Sequence, residues 1–200
     1  MNLATWTAYK LALLKKRPTY ATDQDLAAAC ARNDPRAQRQ LYDRYVDLLY
    51  HTVYRYCFRN DQAEDILQIA FSKAFAAIRQ FDGEKGSLKT WLKRICVNTA
   101  IDVVKKERKW EPAMPELPPS LGTTEPLPFD ELGTEEILQL IAQLPVEQRA
   151  IFNLYEIEGY SHEEIAGMLD INANSCRVYL SRAKKKLRQG IRALESINTK

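Results

Sequence analysis

The sequence predicts an all-α protein of two small helical domains joined by a Pro-rich acidic linker. Three observations carry that expectation. Apolar residues recur at spacings of three and four from Asp23 to Lys109 and again through the last third of the chain, with no alternating strand pattern in competition. Between these stretches, Pro112, Pro115, Pro118, Pro119, Pro126 and Pro128 fall in a run that carries Glu111, Glu116, Glu125, Asp130, Glu131, Glu135 and Glu136 and no Lys or Arg. The charge is therefore ordered basic, acidic, basic, although the net charge is only +3. A length of 200 residues with 46% apolar content suits one or two small domains with real cores.

The leading segment, expected to be an N-terminal extension over 1–22, places its apolar residues before Lys10, Lys15, Lys16 and Arg17. A secretory signal has the reverse order, and no apolar run approaches bilayer length, so the expectation is a cytoplasmic protein without membrane insertion. The extension itself reads as a short amphipathic helix or a frayed tail.

The first domain is expected over 23–110. Asn33, Asp34 and Pro35 mark one helix break and Asn60 with Asp61 another. Leu41, Tyr45, Leu48, Thr52 and Tyr56 form one apolar stripe; Ile66, Ile69, Ala70, Phe71, Phe75 and Ile78 form a second, on a helix starting at Asp61. After Phe81, the run Asp82 to Ser87 is a loop. It opens onto a helix from Leu88 to Arg108 with Trp91, Leu92, Ile95, Val97 and Ile101 set among Lys89, Lys93, Arg94, Lys105, Lys106 and Arg108.

The linker is expected over 111–131, because its prolines remove backbone donors and push the preceding residues toward extended conformations. A passive solvated spacer and a functional segment both fit its composition. The second domain follows over 132–196. There Ser161 and Glu164 form a capping box that starts a short helix with Ile165, Ala166, Met168 and Leu169 on one side, and Asp170 stands where it should stop. New caps at Asn172 to Ser175 start another helix, which buries Leu180, Ala183, Leu187, Ile191 and Leu194.

The opposite face of that last helix holds Arg177, Ser181, Arg182, Lys184, Lys185 and Arg188, with no acid between Arg177 and Arg188. A charge run alone describes any solvated amphipathic helix; the capped short helix directly upstream turns it into a helix-turn-helix. Such a helix docks in the major groove, which makes Ser175, Arg177, Val178 and Ser181 the expected base readers and Arg182, Lys184, Lys185 and Arg188 the expected phosphate contacts.

Four cysteines, Cys30, Cys57, Cys96 and Cys176, form no close pair and read as free thiols in a reducing compartment. His51 and His162 have no second ligand at zinc spacing, so neither metal nor cofactor is expected. A DNA-processing enzyme would need converging carboxylates. Glu163 with Glu164 belongs to a helix start, and Glu64 with Asp65 to a helix of the first domain, so an enzyme is not expected.

Two further segments complete a resemblance that spans about Asp25 to Leu194. Ala63-Glu64-Asp65-Ile66-Leu67-Gln68 followed by Phe71 resembles the polymerase-docking helix of bacterial sigma factors of the extracytoplasmic-function (ECF) group. Trp91-Leu92-Lys93-Arg94-Ile95-Cys96-Val97-Asn98 is similar to the same family's Trp-Leu-x-x-Ile-Ala-x-Asn, and the segment from Leu144-Pro145 to Arg182-Ala183 to its region four. Ile69 stands where the family usually has an acid, and Asn174 and Cys176 where it often has Gly and Val.

The resemblance implies a chain that directs core RNA polymerase to promoters for transcription initiation. It implies polymerase contact through Asp65, Gln68 and Phe71, and minus-10 DNA contact through Phe81, Asp82, Trp91, Lys93, Arg94, Asn98, Asp102, Lys105, Lys106 and Arg108. The loop Phe81 to Ser87 would form a pocket for a flipped base, with the melted strand lying along cations. Trp91 taken alone would be a core side chain, as large aromatics at helical spacing usually are. The resemblance further implies minus-35 DNA contact by the helix-turn-helix and inhibition by an anti-sigma protein. The alternative is a helix-turn-helix regulator that works without polymerase, but the sequence shows no dimerisation heptad for it.

Overall fold

The computed structural model describes residues 20–107 and 134–198; the expected linker, most of the N-terminal extension and Arg108 lie outside them. The described residues form helices and no strand.

Helix α1 (Asp23–Ala31) starts at Thr22, whose hydroxyl accepts from the Asp25 amide at 3.0 Å. Asn33, at φ 59°, ends it in the left-handed region that Asn tolerates. Asp34 then caps α2 (Pro35–Cys57), with Pro35 in the first turn where its missing N–H costs nothing. Phe58, left-handed at φ 54°, closes α2 by donating its N–H to the Tyr54 carbonyl.

Helix α3 (Asn60–Ala77) begins one residue before the expected Asp61 and without a side-chain cap; Asp61 instead pairs with Arg59 at 2.8 Å. It runs into a 3₁₀ turn (Ile78–Gln80). Helix α4 (Leu88–Glu107) starts where the Ser87 hydroxyl accepts from the Thr90 amide at 3.2 Å. The four helices enclose a core that includes Leu26, Leu41, Leu49, Val53, Ile66 and Leu92, each at most 1% exposed. Two residues expected on the buried stripes face out: Leu48 is 37% and Ile69 48% exposed. Each lies beside the stripe proper, which Leu49 and Ala70 occupy.

In the second domain, α5 (Thr134–Ala142) crosses the last helix at Gly190, where a Cβ would stand 2.5 Å from Leu140 Cδ2. Pro145 opens α6 (Val146–Phe152), which continues as a π-helical turn (Asn153–Ile157) to Gly159 at φ 78°, a conformation that glycine adopts without steric cost. Helix α7 (His162–Leu169) carries the expected capping box in both directions, with Glu164 N to Ser161 Oγ at 3.2 Å and Ser161 N to Glu164 Oε2 at 2.8 Å. Asp170, at φ 52°, is its left-handed stop, as its position suggested. Helix α8 (Ala173–Asn198) starts three residues earlier than Cys176, with Asn172 Oδ1 accepting from the Ser175 amide at 2.6 Å. Ile165, Leu169, Cys176, Ala183 and Leu187 build the core of this domain.

Candidate polymerase and promoter interfaces

Three surfaces hold the residues singled out from the sequence. On α3, Asp65 and Gln68 are exposed one turn apart, together with Ile69. Phe71 is only 4% exposed and lies beneath Tyr42 of α2, with ring centroids 4.8 Å apart. Phe71 is thus covered, and Tyr42, which is 41% exposed and which sequence spacing did not single out, is the ring beside it that reaches the surface. Tyr42, Gln68 and Ile69 offer a mixed apolar and polar face on two adjacent helices, suited to docking on another protein.

The second surface is the 3₁₀ turn, its following loop and the outer face of α4. Phe81 sits edge-on to Trp91 at 5.9 Å, so the tryptophan is half-buried at the foot of the loop and only partly in the core. Asp82 folds the loop by accepting from the Glu84 amide at 3.0 Å and pairing with Lys85 at 3.1 Å, and these contacts hold its carboxyl below the usual carboxylate range. Arg94, Asn98, Asp102 and Lys106 are exposed along α4, while Lys93 and Lys105 are half-buried. Asn98 thus needs no buried partner, and the neighbouring Thr99 satisfies its own hydroxyl by donating to the Ile95 carbonyl at 2.8 Å. Asp102 pairs with Lys73 at 3.0 Å. This is a cationic ridge with an aromatic pair at one end, the combination that single-stranded nucleic acid binding uses.

The third surface is the helix-turn-helix. Arg177, Arg182 and Lys185 are exposed on α8, and Ser175, Val178, Ser181 and Arg188 are partly so. Arg177 is oriented by Glu163 at 2.8 Å and by Asn174 at 3.1 Å. Lys184 departs from expectation: it is 7% exposed and reaches Glu156 at 2.6 Å. It lies beside Ala183 near the buried side of α8, where its stem covers apolar surface, so it is a structural cation of this domain rather than an open phosphate contact.

Behind the turn, His162 stacks on Tyr155 at 4.5 Å and its Nδ1 lies 3.2 Å from Cys176 Sγ. Burial pushes that thiol up to about 12, so it stays protonated beside the imidazole. Burial also pushes Cys96 up to about 12 and Cys30 to about 11, which makes the described thiols poor nucleophiles. Among the described residues no cluster of three His, Cys, Asp or Glu side chains could hold a metal ion, and no helix is long and apolar enough to cross a membrane.

Sequence reasoning missed the residues that join the two domains. Arg149 of α6 is 8% exposed, and its Nε donates to the Tyr56 carbonyl at 3.0 Å. Asn153, fully buried, donates to the Arg55 carbonyl at 2.7 Å, and Glu158 pairs with both Arg55 and Lys93. The available signal was a polar pair at i, i+4 inside the otherwise apolar run Arg149-Ala150-Ile151-Phe152-Asn153-Leu154.

The family comparisons agree with the order of these surfaces. The family model described as Sigma-70 region 2 matches residues 41–110, and that described as Sigma-70, region 4 matches residues 134–187. The ECF RNA polymerase sigma-E factor of Haemophilus influenzae is 30% identical over 185 residues, covering 86% of this chain and 97% of that one. The Escherichia coli K12 protein of the same name is also 30% identical, over 86% of this chain and 96% of its own. A solved sigma factor RpoE from Bartonella quintana, in complex with the anti-sigma factor NepR, gives a TM-score of 0.49 at 20% identity, covering 77% of this chain and 96% of that one. With relatives matched over nearly their whole length and both regions in order, this chain belongs to the ECF family of RNA polymerase sigma factors.

Proposed function

We propose that this sigma factor divides promoter recognition between its two domains. The first, over 23–110, docks on core polymerase through Asp65, Gln68 and the Tyr42–Phe71 pair. The same domain takes up melted minus-10 DNA on Phe81, Asp82, Trp91, Lys93, Arg94, Asn98, Asp102, Lys105, Lys106 and Arg108. The second, over 132–196, reads minus-35 duplex with Ser175, Arg177, Val178 and Ser181 and grips phosphates with Arg182, Lys185 and Arg188. The observation that carries this reading is the presence on one chain of a capped helix-turn-helix with exposed Arg177, Arg182 and Lys185 and a separate cationic α4 flanked by the Phe81–Trp91 pair.

Each domain binds weakly alone, but both fixed on one polymerase act at high effective concentration, which makes recognition depend on the spacing of the two elements. The chain works by binding and carries out no reaction of its own. It acts in the cytoplasm, where its polymerase and promoters are, and is inhibited by an anti-sigma protein that covers its polymerase-facing surfaces. The stretch over 111–131 serves as the connection between domains.

Transcription of pooled genomic DNA by core polymerase with and without the protein, followed by mapping of RNA 5′ ends, tests this reading. New starts that share two upstream elements at fixed spacing are expected. Arg177→Ala should then cost about 1–3 kcal/mol at one base of the upstream element. DNA binding by the protein alone, with no new starts, would favour a polymerase-independent regulator.

A further inference from the structure

Arg177 is held from two sides. Its Nη2 donates to Glu163 Oε1 at 2.8 Å and its Nη1 to Asn174 Oδ1 at 3.1 Å. Glu163 stands in the first turn of α7 and Asn174 in the first turn of α8, so the guanidinium is bracketed by the starts of both helices of the helix-turn-helix. An acid in a first turn is favoured by the helix dipole. Glu163 also lies between His162, stacked on Tyr155, and Glu164, fixed in the capping box, so its backbone is firmly placed.

Folding stability does not account for this bracket. The side chains of Arg177 and Glu163 are 46% and 67% exposed, and ion pairs so open to water contribute little. DNA affinity does not account for it either, because a carboxylate on the DNA-facing side of the domain is repelled by phosphates. Selectivity does. A guanidinium on its long, rotatable stem can swing to the nearest phosphate, a contact that is the same for every sequence. Held by both terminal nitrogens, Arg177 loses that freedom, yet the guanidinium has more N–H donors than the bracket engages, so donors remain for a base edge.

We infer that Glu163 is a specificity-determining residue of the minus-35 contact: with Asn174 it keeps Arg177 off the DNA backbone and presents it to a guanine, whose O6 and N7 match an arginine fork. The inference rests on the reading of Arg177 as a base contact. Because the side chain is ordered before DNA arrives, the correct base gains its hydrogen bonds without the cost of fixing a flexible group. A wrong base meets a cation that is held in place and leaves its donors unpaired.

The test uses holoenzyme reconstituted from the full chain and core polymerase. The templates derive from one promoter whose start the parent holoenzyme defines, with every position of its minus-35 element varied through every base and each template barcoded; RNA per template is counted. Arg177→Ala locates the position where base preference collapses, and the parent is expected to prefer guanine there on one strand. At that position alone, Glu163→Ala should lower the preference about fivefold or more, with RNA from the other bases level or raised. Glu163→Gln, which keeps an uncharged oxygen at the same reach, and Asn174→Ala, which removes the other acceptor, should each lower it by about twofold. Both positions are exposed, so these changes leave the core untouched.

An unchanged preference in Glu163→Ala would overturn the inference. So would an equal loss of RNA from all templates, which is what a merely structural role of the bracket would produce, or a preferred base other than guanine. The reading of Arg177 fails separately, when Arg177→Ala lowers RNA from all templates alike, and it takes the inference with it. If Arg177→Ala flattens one position and Glu163→Ala does not, the inference alone falls.

Discussion

In the second domain Arg177 and Lys184 are paired with Glu163 and Glu156 of that same domain, whereas Lys93 and Lys105 of the first are paired with Glu158 and Asp170 of the other. The two arrangements have different consequences. Arg177 is oriented whether the domains are together or apart, so the helix-turn-helix is ready to meet a duplex. The α4 lysines are held by carboxylates of the other domain, so their placement depends on how the two domains meet. One surface is preset by local geometry, and the other is conditional on a junction between elements far apart in sequence.

The strongest way to break the contrast is Arg149→Met, which keeps an apolar stem in α6 and removes the guanidinium. Its Nε and Nη1 donate to the Tyr56 and Ala142 carbonyls at 3.0 and 3.1 Å, so two carbonyls lose charged donors at once. Burial holds this guanidinium below its ordinary pKa, a cost that its bonds to the carbonyls and the nearby Phe58 ring, 5.4 Å away, offset. A loss of about 3 kcal/mol is expected in urea unfolding, since hydrogen bonds to charged groups are the stronger kind. Binding of oligo(dT) should rise while binding of a minus-35 duplex stays level; a parallel change in both would remove the distinction between the two surfaces.

A smaller effect with the opposite selectivity should come from Ser161→Ala. The hydroxyl accepts from the Glu164 amide in the capping box, and its loss should cost about 1 kcal/mol. Because α7 buttresses α8, duplex binding should weaken and oligo(dT) binding should not. Equal weakening of both would mean that the second domain's stability controls the first domain's surface as well.

The same division separates what was legible in the sequence from what was not. Ser161, Glu164 and Asp170 act within one helix of each other, so their spacing alone set the bounds of α7. The all-α class followed from periodicity for a similar reason. Leu48 and Ile69 were misplaced because a stripe of spacing three and four admits adjacent candidates, and only the packing of α2, α3 and α4 selects Leu49 and Ala70. Lys184 was misplaced because its partner, Glu156, stands on a different element. Neither Arg149 nor Glu158 could be assigned, because their partners at Tyr56, Arg55 and Lys93 are remote in the chain. The roles assigned to α3 and α4 came from family resemblance; cationic helices and a half-buried tryptophan have many uses.

The smallest predicted effect tests whether the second domain's surface is as self-contained as its ion pairs suggest. His162 is held below its ordinary pKa of 6.5, chiefly by burial and then by the charges of Arg177 and Lys184, with Glu163 pulling the other way. A folded pKa below the unfolded one means that the unfolded chain takes up the proton first. The stability due to neutral His162 is therefore complete above 6.5 and declines as pH falls through that value toward the folded pKa. Thermal midpoints should fall modestly between about pH 7 and about pH 5.5, and His162→Phe should flatten that slope while keeping a ring against Tyr155. The change should track loss of duplex binding by α8, because protonated His162 also repels Arg177 on the face proposed to read bases. A slope that survives His162→Phe would place the proton uptake elsewhere and leave Arg177 oriented by Glu163 and Asn174 alone.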